Sequence, residues 1–371
     1  MADQTNYRRQ FLGKALKGAT VAAAASPFGA PAVHAAKTIR WKMVTTWPKN
    51  FPGVGTGANY LAELIEKLTN KKLQVKVYGA GELVPALGAF DAVSRGTAEM
   101  GHGASYYWKG KHEAAQFFAA VPFGLNAQEM NGWLYYGGGQ KLWDELYGGF
   151  GLKPFPAGNT GVQMGGWFNK EIKTVDSFKG LKMRMPGLGG EVLRRLGATV
   201  VTLPGGEIFQ SLKSGAIDAS EWIGPYNDLA FGLHKAAKYY YWPGWHEPGA
   251  TLECFVNQKA LAALPSDMRA AVEVACEATN QNILAESTAR SSDALQTLIE
   301  KHKVQLKEFS SEVLMKIGAT SKTVVEEIAQ KDAFSKKTYA SFDAFRKKSM
   351  TWGKIAEQGY SLARQKVFGV K

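Results

Sequence analysis

Apolar and polar positions alternate with period two over short runs, and the stretches between those runs carry apolar residues at helical spacing. Ile39-Arg40-Trp41-Lys42-Met43 predicts a first strand. LQVKVY, with Leu73, Val75 and Val77 on one face, predicts a second. Between them, after the loop WPKNFPGVG, residues Ala58, Leu61, Ala62, Ile65 and Leu68 form one stripe of a helix over 56–70. A helix over 86–95 then leads through Gly96 to TAEMGHG, a short buried strand followed by a loop. Strand, helix and strand in this order argue for an α/β sheet.

A second unit follows. Gly161 to Phe168 alternates, with Val162, Met164 and Gly166 against Gln163, Gly165 and Trp167, and reads as a strand. Asp176-Ser177-Phe178-Lys179-Gly180 is a turn. The next strand, LKMRM, sets Leu181, Met183 and Met185 on one face and Lys182 and Arg184 on the other. Pro186 and the glycines at 187, 189 and 190 stop it. A helix over 189–196 precedes TVVTLP, and one over 205–213 precedes AIDAS. The chain echoes itself here: FDAVSRGTAEMG (90–101) and FQSLKSGAIDAS (209–220) both place a glycine six residues after a phenylalanine, where a helix ends and a strand begins. The echo fits two lobes of similar α/β design with a cleft between them.

From Ser266 the pattern is helical. The segment 266–303 has no proline or glycine and would span both lobes. Further helical stretches are predicted over 305–316, 319–331 and 338–364. The last carries Phe342, Phe345, Met350, Ile355, Ala356, Tyr360 and Leu362, an amphipathic set that must pack either on its own chain or on a second subunit.

The N-terminus changes the picture. Tyr7-Arg8-Arg9-Gln10-Phe11-Leu12 precedes a weakly apolar, alanine-rich run from Ala15 to Ala35. It is similar to a twin-arginine export signal, with a cleavage site at Val33-His34-Ala35; a basic N-terminal helix of a cytoplasmic protein is the other reading. Later in the chain nothing reaches the roughly 18 apolar residues that a membrane span needs. The mature chain, 36–371, is therefore expected to be soluble, periplasmic and not itself membrane-spanning. Of the formal charge of +13, the first 35 residues hold Arg8, Arg9, Lys14 and Lys17 against Asp3, leaving +10. No localised basic stripe or nucleic-acid module accompanies that excess, so nucleic acid is excluded as a partner. Cys254 and Cys276 have no Cys-x-x-Cys context or metal-ligand spacing, and either pair or remain buried free thiols.

Candidate chemistry gathers in the second unit. Arg184 sits at the carboxyl end of a strand, where ligands collect in open α/β sheets. Its fork of N–H donors suits a carboxylate, although a structural or solvated arginine fits the same run. Glu221-Trp222 follows the second echo, and Glu247 stands in GWHEPG. His246 has no partner at metal-ligand spacing, and His102 and His112 form no pattern with it, which argues against zinc. Two carboxylates also admit an acid–base pair, yet no nucleophile elbow, His-Glu-x-x-His pattern or phosphate-binding glycine loop is present. Tyr106-Tyr107-Trp108 is either lobe core or a ligand wall, and Asn159 and Thr160 are placed to line a hinge.

FNKEIKTVDSFKGLKMRMPG, VTLPGGEIFQSLKSGAIDASEW and WPGWHEPG, in this order, carry a family resemblance over roughly 38–365. The chain resembles DctP-type substrate-binding proteins of tripartite ATP-independent periplasmic (TRAP) transporters, and within them the branch binding 2-oxo acids and related monocarboxylates. The resemblance implies an α/β, two-lobed periplasmic binding protein fold with a hinge, a long lobe-spanning helix and a helical C-terminal extension. Its divisions would be 1–35 as signal peptide, 36–158 plus 252–290 as lobe I, 159–251 plus 291–335 as lobe II, and 336–371 as the extension. It implies that Arg184 pairs with the substrate carboxylate, with Gln163, Trp222 and Tyr107 also facing the acid. It implies one metal cation, Na+ or Ca2+, held by Gln163, Glu221, Glu247 and the main-chain carbonyl of Trp222, an all-oxygen shell of the kind hard cations take. The function implied is capture of a small 2-oxo or 2-hydroxy monocarboxylate and delivery to TRAP permease membrane subunits, without catalysis. A periplasmic sensory binding protein, or an enzyme acting on a small carboxylic acid, are the alternatives. Some members of this branch form homodimers by exchanging a C-terminal helix.

Overall fold

Strands in the computed structural model, which describes residues 38–369, fall into two sheets. In chain order they are β1 (Ile39–Thr45), β2 (Leu73–Tyr78), β3 (Met100–Gly103), β4 (Leu152–Asn159), β5 (Gly166–Phe168), β6 (Lys182–Arg184), β7 (Thr199–Val201), β8 (Ala219–Ser220), β9 (Tyr239–Trp242), β10 (Thr251–Asn257) and β11 (Gln305–Glu308). The first sheet runs β2-β1-β3-β10-β4 and the second β11-β9-β5-β8-β6-β7. β1 pairs in parallel with β2 and β3, whereas β10 is antiparallel to both β3 and β4. Because β10 returns to the first sheet after the second is almost built, the chain crosses between lobes on either side of residues 166–242. The export-signal reading of residues 1–35 lies outside the described residues.

The echo has a structural counterpart. Gly96 (φ +78°) and Gly215 (φ +75°) both end a helix in the left-handed conformation, and β3 and β8 begin four residues later. A side chain would be strained there, so glycine terminates each helix and turns the chain into the sheet.

The helix Ser266–Glu300 has 35 residues and therefore runs about 50 Å. It packs on β4 and on the helix Val54–Leu68 in the first lobe, and on the helix Pro225–Phe231 in the second. Val272, Ala275 and Cys276 seat it against the first lobe's core, which includes Ala58, Leu61, Ile65 and Cys254. Both cysteines are buried free thiols.

Three predicted elements differ. Residues 161–165 are not a strand: Val162 is 66% exposed while Gln163 is buried, because this segment is a lobe crossing. Its amides bond to separate segments, Gln163 N–H to the Glu247 carbonyl (3.1 Å), Met164 N–H to that of Ile223 (3.0 Å) and Gly165 N–H to that of Tyr241 (2.7 Å). Residues 305–308 are not helical but form β11, an edge strand parallel to β9, and the following helix is a single element, Ser311–Ala329. The stretch 338–364 belongs to two helices, Ala333–Ile355 and Glu357–Phe368. Phe342 is buried against the first lobe and Phe345 packs beside it, but Met350, Ile355, Tyr360 and Leu362 are exposed. Among the described residues no helix is long and apolar enough to cross a membrane.

Candidate functional site

The carboxyl ends of β6 and β8 lie side by side, with Arg184 opposite Ser220 in parallel register. That register brings Arg184 against Glu221, the residue just beyond β8. Arg184 Nη1 donates to Glu221 Oε1 and, at 3.2 Å, to the Glu221 carbonyl; Nε donates to the Leu203 carbonyl at 3.2 Å. Nη2 donates to the Tyr107 hydroxyl at 3.4 Å, a bond from the second lobe to the first. The guanidinium carbon lies 5.4 Å from the centroid of the Trp222 ring. The strand alternation thus put Arg184 on the opposite face from Met183 and Met185, and that face is buried too.

The second crossing, residues 243–250, carries His246 and Glu247 to the same place. Gln163 donates through Nε2 to Glu247 Oε2 at 2.7 Å and to Thr160 Oγ1 at 3.2 Å. Arg184, Glu221, Trp222, Gln163 and Glu247 are all buried. Burial pushes the Glu247 carboxyl well up from its ordinary range, and the negative charge of Glu221 adds to this, against the pull of Arg184, the Tyr106 hydroxyl and Gln163. One arginine therefore faces two carboxylates in a dry site. Gln163 Oε1 and Glu221 Oε2 are buried without hydrogen-bond partners. Oxygen atoms left over in this way, in a site short of positive charge, fit a cation.

The structure brings together Arg184, Gln163, Glu221, Trp222, Glu247 and Tyr107, and sets three more residues beside them. The Tyr106 hydroxyl draws the Glu247 carboxyl down against the effect of its burial, where the sequence reading singled out its neighbour Tyr107. His246, read as having no partner, lies with Nε2 3.5 Å from Glu221 Oε2. Asp228 supports the loop from behind: it accepts from the Ile223 N–H (3.2 Å), Trp167 Nε1 (2.9 Å) and the Tyr240 hydroxyl (2.7 Å). Burial raises its carboxyl to about 7 although all three donors oppose this. His246 and Tyr106 adjoin Glu247 and Tyr107 in the chain, yet their approach to the opposing carboxylates, like the bond from Trp167 to Asp228, comes from segments far apart in sequence.

The hinge residues are also placed. Asn159 donates to the Gly249 carbonyl (3.2 Å) and accepts from the Gly161 N–H (2.9 Å), tying one crossing to the other. His102 is structural. It accepts from Trp47 Nε1 at 2.7 Å, its other nitrogen meets the Ala157 carbonyl at 3.0 Å, and burial lowers its pKa to about 4. Trp47, so held, packs edge-on against Trp222 (6.2 Å) and at a tilt against Tyr107 (6.3 Å). His112 caps the turn Glu113–Phe118.

Residues 43–332 match the family model of the bacterial extracellular solute-binding proteins, family 7 (DctP), and the chain belongs to that family. It is a solute-binding protein of TRAP-type transport rather than an enzyme, and as such works in the periplasm. It is 46% identical over 322 residues to a monocarboxylate 2-oxoacid-binding periplasmic protein of Nostoc sp., covering 87% of this chain and 88% of that one. A TRAP transporter solute-binding protein from Bordetella bronchiseptica superposes with a TM-score of 0.88 at 38% identity, over 90% of this chain and 99% of its own. That protein is a mixed-occupancy dimer with copurified calcium and picolinate in one site. Proteins from Pseudoalteromonas atlantica, with sodium and pyruvate, and from Colwellia psychrerythraea, with calcium and pyruvate, each score 0.85 at 41% identity. Each covers 87% of this chain, and 98% and 99% of its own.

Proposed function

We propose that this protein captures a small 2-oxo or 2-hydroxy monocarboxylate together with one cation, Na+ or Ca2+, and delivers the acid to a TRAP permease. The observation that carries the reading is the buried convergence of Arg184, Glu221, Glu247 and Gln163 at the crossing between lobes. Arg184 would turn its fork from Glu221 toward the acid's carboxylate, with the Tyr107 hydroxyl beside it. Glu221, Glu247, the free oxygen of Gln163 and the main-chain carbonyl of Trp222 would hold the cation, and the acid's own oxygens would complete its shell. The cation offsets carboxylate charge and lends the acid a second positive partner. The pyruvate complexes of the relatives at 41% identity, with sodium or calcium, support this pairing.

Contacts from both lobes favour the closed form over the open one, which gives a permease two shapes to distinguish. Twin-arginine export in a folded state fits the N-terminal sequence. Exposure of Met350, Trp352, Ile355, Tyr360, Leu362 and Phe368 supports a homodimer in which the terminal helix is covered by a second subunit. Calorimetry with pyruvate and lactate, with and without Ca2+ or Na+, tests the reading. Tighter binding of either acid with cation than without is the expected result, and binding of neither in any condition would overturn it.

A further inference from the structure

Among the described residues, Glu221, His246 and Glu247 form a group in which one carboxylate oxygen from each glutamate and a ring nitrogen of His246 all lie within 4.8 Å of one another. The His246 side chain is fully buried, and neither of its nitrogens has a hydrogen-bond partner. A neutral imidazole carries one N–H donor and one bare nitrogen acceptor. Leaving such atoms unpaired in a dry site is unfavourable, so the ring is placed for something other than packing.

Its direction is set by its surroundings. His246 lies against the first turn of the helix Gly187–Arg195, where a Cβ on Gly189 would come within 2.7 Å of the histidine's own Cβ. Nε2 faces Glu221 Oε2 at 3.5 Å, which is too long for a good hydrogen bond. It is close to the separation of two ligands that share one ion, about 3.3 Å for tetrahedral bonds of the usual zinc length.

We infer that His246 Nε2 is a ligand of the cation site, and that this nitrogen lets a borderline divalent transition ion such as Zn2+ bind there in place of a hard cation. This rests on the proposed position of the cation between Glu221 and Glu247. Sodium and calcium prefer oxygen and gain little from imidazole, whereas zinc bonds it strongly. The donor set is then two carboxylates, an imidazole and the acid's own oxygens, and the solute taken up includes the complex of a 2-oxo acid with a divalent transition ion.

Zinc K-edge absorption of the wild-type protein with one equivalent of Zn2+ and pyruvate should show one imidazole in the metal's shell, and excess Ca2+ with pyruvate should displace that zinc. His246→Gln should weaken Zn2+ binding by about tenfold or more and Ca2+ binding by much less. Three results would overturn the inference. One is a zinc shell without imidazole. Another is zinc that calcium and pyruvate do not displace, as for an ion held at the His234–His302 pair, whose ring centroids are 4.0 Å apart. The third is equal loss of Zn2+ and Ca2+ affinity in His246→Gln. If the variant does not fold, the wild-type spectrum and displacement decide alone. Failure of pyruvate to bind with Ca2+ would instead overturn the position of the acid and cation.

Discussion

Arg184 and Glu221 form a buried ion pair across the ends of β6 and β8, each side chain only 1% exposed. Nη1 of the arginine reaches both the carboxylate and the main-chain carbonyl of the glutamate. Such a pair couples ligand recognition to the integrity of the lobe. From sequence, Arg184→Ala reads as a variant that loses its ligand and keeps its fold. The pairing alters the second half of that expectation, because the change leaves Glu221 buried without its partner.

Arg184→Ala should weaken acid binding by about thirtyfold to several thousandfold, corresponding to 2–5 kcal/mol. It should also lower stability by about 3–5 kcal/mol. Arg184→Lys keeps the charge but loses the fork, so it should recover stability more than affinity. Calorimetry and urea unfolding of the two variants separate these effects. Near-native affinity in Arg184→Ala would remove the arginine from the ligand's contacts.

Cation and acid should bind with positive coupling, since each would complete the other's surroundings. By linkage, whatever factor the cation adds to acid affinity the acid adds to cation affinity. Pyruvate titrated into chelator-stripped protein should bind more weakly than into protein repleted with Ca2+. Equal affinities would leave Glu221 and Glu247 as ordinary hydrogen-bond acceptors.

Asp228 touches neither proposed ligand but holds the Ile223 amide, and with it the loop that presents Glu221 and Trp222. Asp228→Ala orphans that amide together with Trp167 Nε1 and the Tyr240 hydroxyl, each at about 1–3 kcal/mol. The variant should melt well below wild type and bind Ca2+ less tightly. An unchanged melting temperature would mean that water replaces the carboxylate.

Glu253 gives a pH dependence with a defined sign. It is buried in the first lobe, accepting from Trp108 Nε1 and the Tyr147 hydroxyl, and burial raises its carboxyl to about 8 against both donors. Between the ordinary value of 4.5 and about 8 the folded protein keeps a proton that the unfolded chain has released. Stability from this group is therefore fully present below 4.5 and is lost as pH rises to about 8. Chemical denaturation across that window should show this fall in wild type and a flatter profile in Glu253→Gln.

Removal of the terminal helix Glu357–Phe368, which has no buried residue, should leave acid binding intact. If a second subunit covers that helix, light scattering should give twice the monomer mass for the full protein and the monomer mass for the truncated one. Monomer mass for both would rule the exchange out.

Much of this molecule is legible in its sequence wherever near neighbours decide the outcome. The stripe Ala58, Leu61, Ile65 needs only helical spacing to find the core, and Gly96 and Gly215 need only their backbone freedom to end a helix. Arg184 could be placed at a strand end because Pro186 stops the run two residues later. The hinge and the full site were not legible in this way. Residues 161–165 alternate like a strand, yet their amides are taken by three segments 59 to 84 residues further along, and that competition exists only once the lobes are folded. β11 is a polar edge strand whose pairing with β9 supplies what its own pattern does not. His246 and Tyr106 have no meaningful spacing to Glu221 in the chain. Only tertiary structure sets His246 against Glu221 and Tyr106 beside Glu247, by bringing both crossings and the first lobe's turn to one buried point.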